Sequence, residues 1–141
     1  RPVVTYASGP LTLKLGAEFG KYLSGRNVDG VGANIGYTAG LLGLNFNVAQ
    51  GKQDTATDNK LSSYGINAQY GPFFAGYIAA KNEQAGGDNQ IQTIHASYNI
   101  PIFGVKGASI TPAISHSTNK DSVLAKTTDV DAIRIRVHYD F

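Results

Sequence analysis

The residues with the clearest chemical potential in this 141-residue chain are Arg134, Arg136 and His138. They alternate with apolar residues, and in a β-strand side chains two positions apart share a face and lie ~7 Å apart. Guanidinium groups stacked at that spacing on a pore wall would favour anions. The other interpretation is that these residues pair with carboxylates on neighbouring strands or plug the interior of a small barrel through salt bridges, and the sequence leaves both open.

Lys14 and Glu18 form a second charged set, on the alternating segment 11–22. Four positions along a strand correspond to ~13 Å, so each residue is expected to pair across strands rather than with the other. The histidines His95, His116 and His138 lie on separate segments, and their spacing does not indicate metal ligation. Nothing in the chain resembles a nucleophile elbow. The sequence therefore predicts no catalytic residue, metal or cofactor, and the protein is not expected to be an enzyme.

The composition excludes several classes of protein. Charged residues make up 16% of the chain, below the roughly 25% of ordinary soluble domains. The absence of cysteine excludes disulfide frameworks and thiolate metal sites. A net charge of +2 is too small for a protein that binds nucleic acid through many phosphate contacts. No apolar run approaches the ~18 residues of a transmembrane helix.

Apolar and polar residues alternate along most of the chain, which is the period of a β-strand with two different faces. Most of the alternating segments have 9–12 residues, longer than the roughly 5–6 residues of globular strands. That is the length a tilted strand needs to cross a bilayer. The segments lie near residues 3–8, 11–22, 31–39, 42–51, 61–70, 73–82, 91–102, 108–118 and 130–141. They predict one all-β unit over residues 1–141, an antiparallel up-and-down sheet.

Two segments are ambiguous. Residues 73–82 are apolar on both faces, so the sequence does not decide which of Phe74 and its neighbours faces inward. Pro112 interrupts the eighth segment, and because a proline removes one ladder donor, we predict a local bulge there.

The polar face indicates how the sheet is used. It consists mainly of Gly, Asn, Ser, Thr and Gln, and most charges fall in the connections. Small neutral side chains suit the inside of a water-filled cylinder, whereas a soluble ligand-binding barrel places large apolar residues inside. The pattern therefore predicts a transmembrane β-barrel. The residues predicted to line its pore are Lys14, Glu18, Asn34, Asn45, Asn47, Asn67, Gln69, His95, Asn99, Arg134, Arg136 and His138.

Connections and aromatic residues support the same prediction. Short connections alternate with longer polar ones at 23–30, 51–60, 82–90 and 119–129, as periplasmic turns alternate with extracellular loops in such barrels. Aromatic residues gather towards both ends of the strands, where interfacial girdles are expected. Those near the short turns are Tyr6, Tyr37, Tyr70, Phe73, Phe103, Tyr139 and Phe141, and those towards the loops are Phe19, Tyr22 and Tyr64.

The last ten residues, 132–141, resemble the final strand of Gram-negative outer-membrane porins, which ends on phenylalanine with an aromatic residue two positions earlier. The Gly-Pro turns near residues 9 and 71 are similar to the periplasmic turns of these porins. The resemblance implies a bacterial outer-membrane location in contact with lipid and a larger barrel of 14–18 strands. It also implies insertion by the barrel-assembly machinery, which would read Val137, Tyr139 and Phe141. Many porins of this kind are homotrimers, and no nucleic acid is expected as a partner.

The strand count departs from a complete barrel. A single-chain bacterial barrel has an even number of strands, and nine are counted here. The simplest account is the C-terminal part of a larger porin, completed by missing N-terminal strands or a second chain. Its expected function is passive diffusion of small hydrophilic solutes or ions, with a bias towards anions from Arg134, Arg136 and Lys14.

The alternative is a small closed barrel of eight strands, in which residues 1–8 are only a lead-in. Such a barrel would conduct nothing and would have a structural or adhesive role through its loops. Inward glycines at positions 16, 32, 36, 43 and 65 argue against it, because a narrow barrel is filled by side chains. Phe74 and Ile78 would favour it if they face inward. A soluble ligand-binding barrel is the third hypothesis.

Overall fold

A computed structural model describes residues 1–21, 27–54, 59–102, 104–105 and 107–139. These residues form ten β-strands. No helix among them is long and apolar enough to cross a membrane. The strands are β1 (Val3–Ser8), β2 (Leu11–Lys21), β3 (Asn27–Ala39), β4 (Leu42–Gln53), β5 (Asn59–Tyr70), β6 (Phe73–Gln84), β7 (Gly87–Tyr98), β8 (Ile100–Pro101), β9 (Ala108–Asp121) and β10 (Lys126–Tyr139).

The strands form one antiparallel up-and-down sheet. Its order is β1-β2-β3-β4-β5-β6-β7-β9-β10, and the short β8 pairs with β9 beside the end of β7. Each strand therefore pairs with its neighbour in sequence, and β1 and β10 are the two edges. The nine predicted segments correspond to the nine strands along this path, and most strands are longer than predicted.

The predicted bulge at Pro112 is wrong. The pairing of β9 with β10 continues through Pro112 without an inserted residue. On the other side, Ser97↔Ala113 and Ile100↔Ile110 belong to one register, and the ladder is interrupted between them, at Tyr98 and Asn99. The proline therefore opens a gap in one ladder, since it has no N–H to donate, and leaves the register unchanged.

Three connections at one end of the sheet are two-residue turns. Each begins with a glycine at positive φ: Gly9 at 54°, Gly40 at 58° and Gly71 at 56°. A two-residue hairpin needs this conformation at its first position, and glycine adopts it without steric cost. These turns set the register of the hairpins β1–β2, β3–β4 and β5–β6.

At the opposite end, the two connections that are described throughout are shorter than predicted. β6 and β7 continue to Gln84 and from Gly87, so the connection predicted at 82–90 is only two residues long, and the β9–β10 connection spans residues 122–125. The start of β7 is bonded to the β9–β10 turn, because the Asp88 N–H donates to Ser122 Oγ at 2.6 Å and the Ser122 N–H to the Asp88 carbonyl oxygen at 2.9 Å. The strands thus extend well beyond their apolar parts, and β7 holds the neighbouring turn in place.

The sheet is a single layer without a conventional core. Among the described residues, the only buried hydrophobic ones are Ala79 and Ala108, with exposed fractions of 3% and 9%. Most of the large exposed apolar side chains lie on one face, up to 82% exposed for Ile133. The other face has fewer, namely Val3, Leu61, Ile78, Ile91 and Val130. Water-soluble domains cover an apolar face with a second layer of structure. Here the described residues supply no second layer, so the apolar face needs another environment.

The apolar band on this face crosses the strands obliquely. Going from β2 to β10, its upper limit descends by two residues at each of four steps and never rises. These steps amount to ~26 Å along the strands over ~34 Å across them, a slope of about 38°. At each step the last apolar residue of one strand is opposite the first polar residue of the next, namely Phe19↔Asp29, Val31↔Gln50, Ala79↔Gln92 and Ile94↔His116.

Aromatic side chains mark the lower limit of the same band. The ring of Phe73 contacts that of Tyr98, with centroids 4.6 Å apart. Tyr6 at one edge of the sheet is level with Asp131 and so lies eight residues above Tyr139 at the other edge. The lower limit therefore slopes in the same sense as the upper one. Of the predicted girdle residues, Tyr22, Phe103 and Phe141 lie outside the described residues. The others are all on the apolar face.

Candidate functional site

The register places all the predicted pore-lining residues on one face of the sheet, here called the polar face. Successive pairs connect them: Lys14↔Asn34, Asn34↔Asn47, Asn45↔Asn67 and, through Gly76, His95. Glu18, Gln69 and Asn99 each lie an even number of residues along the chain from Lys14, Asn67 and His95, and they are therefore on the same face. On β10, the residues Arg134, Arg136 and His138 are opposite Ala113, Thr111 and Ser109 of the same face. Sequence alternation was therefore sufficient to assign this face.

Asparagines of the polar face lie opposite glycines of the neighbouring strand. The pairs are Gly36↔Asn45, Asn47↔Gly65 and Asn67↔Gly76. A Cβ at Gly65 would lie 3.1 Å from both amide atoms of Asn47, so this amide leans over the glycine instead of standing upright. Asn34 and Asn45 also exchange side-chain hydrogen bonds of 2.9 and 3.3 Å. The result is a low, neutral wall of amide groups.

Gly76 is the tightest of these positions. A Cβ there would overlap Asn67 Oδ1 and lie 2.6 Å from His95 Cε1. The His95 ring is stacked on Phe74, with centroids 5.5 Å apart and an interplanar angle of 26°. The missing side chain at position 76 thus allows His95 to lie flat against the sheet beside Phe74.

We expect Gly76→Ala to displace the His95 ring from Phe74. The overlapping atoms are the ends of flexible side chains, so the free energy of unfolding should change by only about 1 kcal/mol or less. The imidazole resonances of His95 in the detergent-folded protein would report the displacement. Gly36→Ala is the matched control, since its nearest atom is 3.5 Å from the new Cβ. Unchanged His95 resonances in the Gly76→Ala variant would contradict this prediction.

The two cross-strand charges predicted on β2 have different environments. Glu18 accepts a hydrogen bond from Arg1 Nε at 2.8 Å and forms an ion pair with the same guanidinium. Glu18 therefore pairs with Arg1, two residues before β1, rather than with Lys14. Lys14 is opposite Thr5 and Asn34, neither of which is a carboxylate. Among the described residues, no carboxylate therefore lies directly opposite the ammonium group of Lys14 on the polar face.

Arg134 and Arg136 also lack carboxylates in their register. Their partners on β9 are Ala113 and Thr111, and no described strand pairs with the other edge of β10. Both arginines are exposed. Of the two interpretations of this stack, pairing with carboxylates of the neighbouring strand is thus wrong for β9, because β9 presents only Ala, Thr and Ser there.

Charge is distributed unequally between the faces. The described residues of the polar face carry five cations and two carboxylates, a net charge of +3. The other face carries five lysines and six carboxylates, a net charge of −1, gathered beyond the apolar band. The polar-face groups are Arg1, Lys14, Lys126, Arg134, Arg136, Glu18 and Asp121. Those of the other face are Lys21, Lys52, Lys60, Lys81, Lys120, Asp29, Asp54, Glu83, Asp88, Asp129 and Asp131.

The structure assigns the ambiguous strand β6. Phe74 is opposite Gln69 and Ile78 is opposite Gly65, so both are on the polar face. Sequence reasoning left them open because β6 is apolar on both sides, and only its neighbours' registers decide. The five glycines expected to face inward, 16, 32, 36, 43 and 65, lie on the same face.

The predicted assembly signal lies on the opposite face. Val137 and Tyr139 are 70% and 50% exposed, among the apolar residues of the edge strand β10. Phe141 is outside the described residues. On β9, His116 follows Ile114, the last apolar residue of the apolar face, and its Nδ1 lies 2.8 Å from Asp131 Oδ1.

Comparisons with known proteins add no identification. No protein-family model matches the chain, and no curated protein or solved structure matches it significantly.

Proposed function

We propose that this chain forms part of the wall of a β-barrel pore in the outer membrane of a Gram-negative bacterium, through which small hydrophilic solutes and ions diffuse passively. The proposal rests on the difference between the two faces of the sheet, of which one is mainly apolar and the other mainly polar from the first strand to the last. The porin resemblance of residues 132–141 supports the same conclusion.

The oblique apolar band is the observation that carries the proposal. In a barrel the strands tilt by about 35–45° from the axis. A membrane-parallel band must then cross the strand registers at that same angle, and the slope found here is about 38°. The band is ~16–21 Å high along the barrel axis, measured between its outermost Cα positions and corrected for the tilt of the strands. Side chains at its two edges extend this height towards the ~25 Å of the apolar band of outer-membrane barrels. A soluble sheet covered by a second layer has no reason for this slope.

The polar face supports a water-filled interior with a preference for anions. Its amide and glycine wall provides hydrogen-bonding groups without bulk. Its net charge of +3 in the described residues would raise the local anion concentration, since low-dielectric walls focus the field of a pore.

Strand parity determines what must complete the barrel. The path contains nine strands, so β1 and β10 run in the same direction and cannot pair antiparallel with each other. Two copies related by the barrel axis would meet β10 to β1, again in parallel. An entirely antiparallel barrel therefore needs an odd number of further strands from another segment or chain, consistent with a total of 14–18. A homotrimer of such barrels is part of the same proposal.

One observation favours the second candidate, a narrow closed barrel with a structural or adhesive role. Phe74 and Ile78 add bulk to the polar face, and the β9–β10 turn is held in place by its hydrogen bonds to Asp88 of β7. Against it, residues 3–8 are a strand paired along β2 rather than a lead-in. β2 thus has no free edge with which to close an eight-stranded barrel.

The deciding experiment combines two measurements on the detergent-extracted native protein. We expect an intact mass well above the 14.9 kDa of this chain, together with ohmic, anion-preferring conductance in planar bilayers. Uptake of graded sugars into liposomes should show a size limit. A mass of 14.9 kDa without conductance, in protein shown by protease protection to be inserted, would favour the closed barrel instead.

A further inference from the structure

The apolar face contains a depression of about 460 Å³ where the apolar band ends and the charged residues begin. It extends over β2–β6, with Phe19 and Val31 at the side of the band and Lys52 and Lys60 further out. The short side chain of Ser62 leaves space between these longer groups. The depression thus joins an apolar surface to a charged one, and its volume is within the ~300–1,000 Å³ of ligand sites.

Two lysines are direct neighbours in this depression. Lys52 of β4 is opposite Lys60 of β5, and like charges in that position repel each other. Lys52 Nζ lies 3.7 Å from Asp54 Oδ1, whereas Lys60 forms no ion pair within the described part of the chain. An anion between the two ammonium groups would replace their repulsion by charge-assisted hydrogen bonds to both.

A polar pair lies between the lysines and the apolar band. Gln50 is opposite Ser62, both are exposed, and they follow the lysines by ~7 Å along the strands. Their amide and hydroxyl groups can donate hydrogen bonds. The next pair, Val48↔Tyr64, already belongs to the apolar band. Ammonium groups, hydrogen-bond donors and apolar surface therefore follow one another in the order of the phosphate, ester groups and acyl chain of a lipid.

Carboxylates flank the two lysines. Asp29 is opposite Lys52 on one side, and Glu83 is opposite Lys60 on the other. Glu83 Oε1 already lies 2.7 Å from Lys81 Nζ, whereas Asp29 has no ion-pair partner among the described residues. The charged residues that line the depression are thus two cations and two carboxylates, and this balance fits a headgroup that carries both signs of charge.

We propose that this depression binds one membrane lipid of the phosphoethanolamine type, whose headgroup carries a phosphate and a primary amine. The phosphate lies between Lys52 and Lys60, the ammonium group faces Asp29, and an acyl chain follows the apolar band. The two-carbon link places the amine about one strand spacing, ~4.8 Å, from the phosphate, as Asp29 is from Lys52. An anionic headgroup would leave Asp29 without a cation, and a choline headgroup has no N–H to donate to it. The inference rests on the proposed function, since it requires an apolar face in contact with lipid.

The test is native mass spectrometry of the detergent-extracted native protein, delipidated and then titrated with lipids of identical acyl chains. Phosphatidylethanolamine is compared with phosphatidylcholine, whose amine has no N–H, and with phosphatidylglycerol, which has no amine. We expect the tightest site to bind phosphatidylethanolamine about threefold or more tightly than either. Glycerophosphoethanolamine, the same headgroup without acyl chains, should bind far more weakly.

Each variant has a matched control on the same face. Asp29→Asn should abolish the preference for ethanolamine over choline, because only the primary amine donates to Asp29. Lys60→Gln should weaken the binding of both lipids about two- to fivefold, and Lys60→Arg, which keeps the charge, should restore it. Asp129→Asn and Lys120→Gln change the same residue types beyond the apolar band of β10 and β9, and neither should change the affinity of the tightest site.

Three results would overturn the lipid site. Phosphatidylcholine or phosphatidylglycerol binding as tightly as phosphatidylethanolamine would mean that the amine is not recognised. Equal losses in Lys60→Gln and Lys120→Gln would mean general attraction by charge, and glycerophosphoethanolamine binding as tightly as the lipid would mean a site for a soluble molecule. If the expected pattern appears in protein that does not conduct, the lipid site stands and the pore function fails. If conductance appears without the pattern, the pore function stands and the lipid site fails.

Discussion

Phe46→Arg is expected to destabilise the membrane-folded protein by about 2–4 kcal/mol, the cost of a basic side chain at the lipid-facing midplane of a barrel. Phe46 lies in the middle of the apolar band, opposite Ile35 and Ile66, and is 42% exposed. The measurement is reversible urea unfolding of the native protein in phospholipid vesicles. An arginine at this depth has no water to solvate it, which is why the effect should be large.

Asn47→Arg is the matched control, because position 47 is adjacent in sequence but on the polar face. There the arginine would face the proposed water-filled interior, and we expect a change of about 1 kcal/mol or less. Equal destabilisation by both substitutions would contradict the membrane orientation of the sheet. So would a protein that remains folded and monomeric in buffer without detergent.

Reversing three cations of the polar face is expected to change the ion preference from anions to cations. The triple variant Lys14→Glu, Arg134→Glu and Arg136→Glu converts the net charge of the described polar face from +3 to −3, since each reversal removes two charges. A tenfold shift in the chloride-to-potassium permeability ratio needs only ~1.4 kcal/mol, and we expect at least that. Reversal potentials in a salt gradient give the ratio directly.

The matched control reverses the same number of charges on the other face. Lys21→Glu, Lys52→Glu and Lys60→Glu change the net charge of the protein identically but lie beyond the apolar band, outside the proposed interior. We expect their reversal potential to keep the sign of the unmodified protein. A change of sign in the control would show that overall charge, rather than the polar face, sets the preference.

Strand identity and face assignment were available from the sequence. Along β10, Ile133 and Ile135 flank Arg134. Because successive side chains of a strand point to opposite faces, this alternation places the isoleucines on one face and the arginine on the other. Every residue predicted to line the interior lies on one face for this reason. The turns at Gly9, Gly40 and Gly71 were equally readable, since Gly at these positions supplies the positive φ that the hairpins need.

The sequence could not determine what depends on pairing between strands. β6 is apolar on both sides, so only its register against Gln69 and Gly65 places Phe74 and Ile78 on the polar face. The short β6–β7 connection was missed because polar strand ends beyond the apolar band look like loops. The bulge at Pro112 was wrong because the missing donor interrupts one ladder without shifting the register.

What only the tertiary structure decided is the relation between strands: the oblique apolar band and the separation of charge between faces. Each of these arises from residues that are far apart in the sequence and that the strand register places at the same height on neighbouring strands. The sequence by itself determined that the sheet has one apolar and one polar face, because that information is local and repeats every two residues. The slope of the band is not local, since it is the sum of small offsets between neighbouring strands.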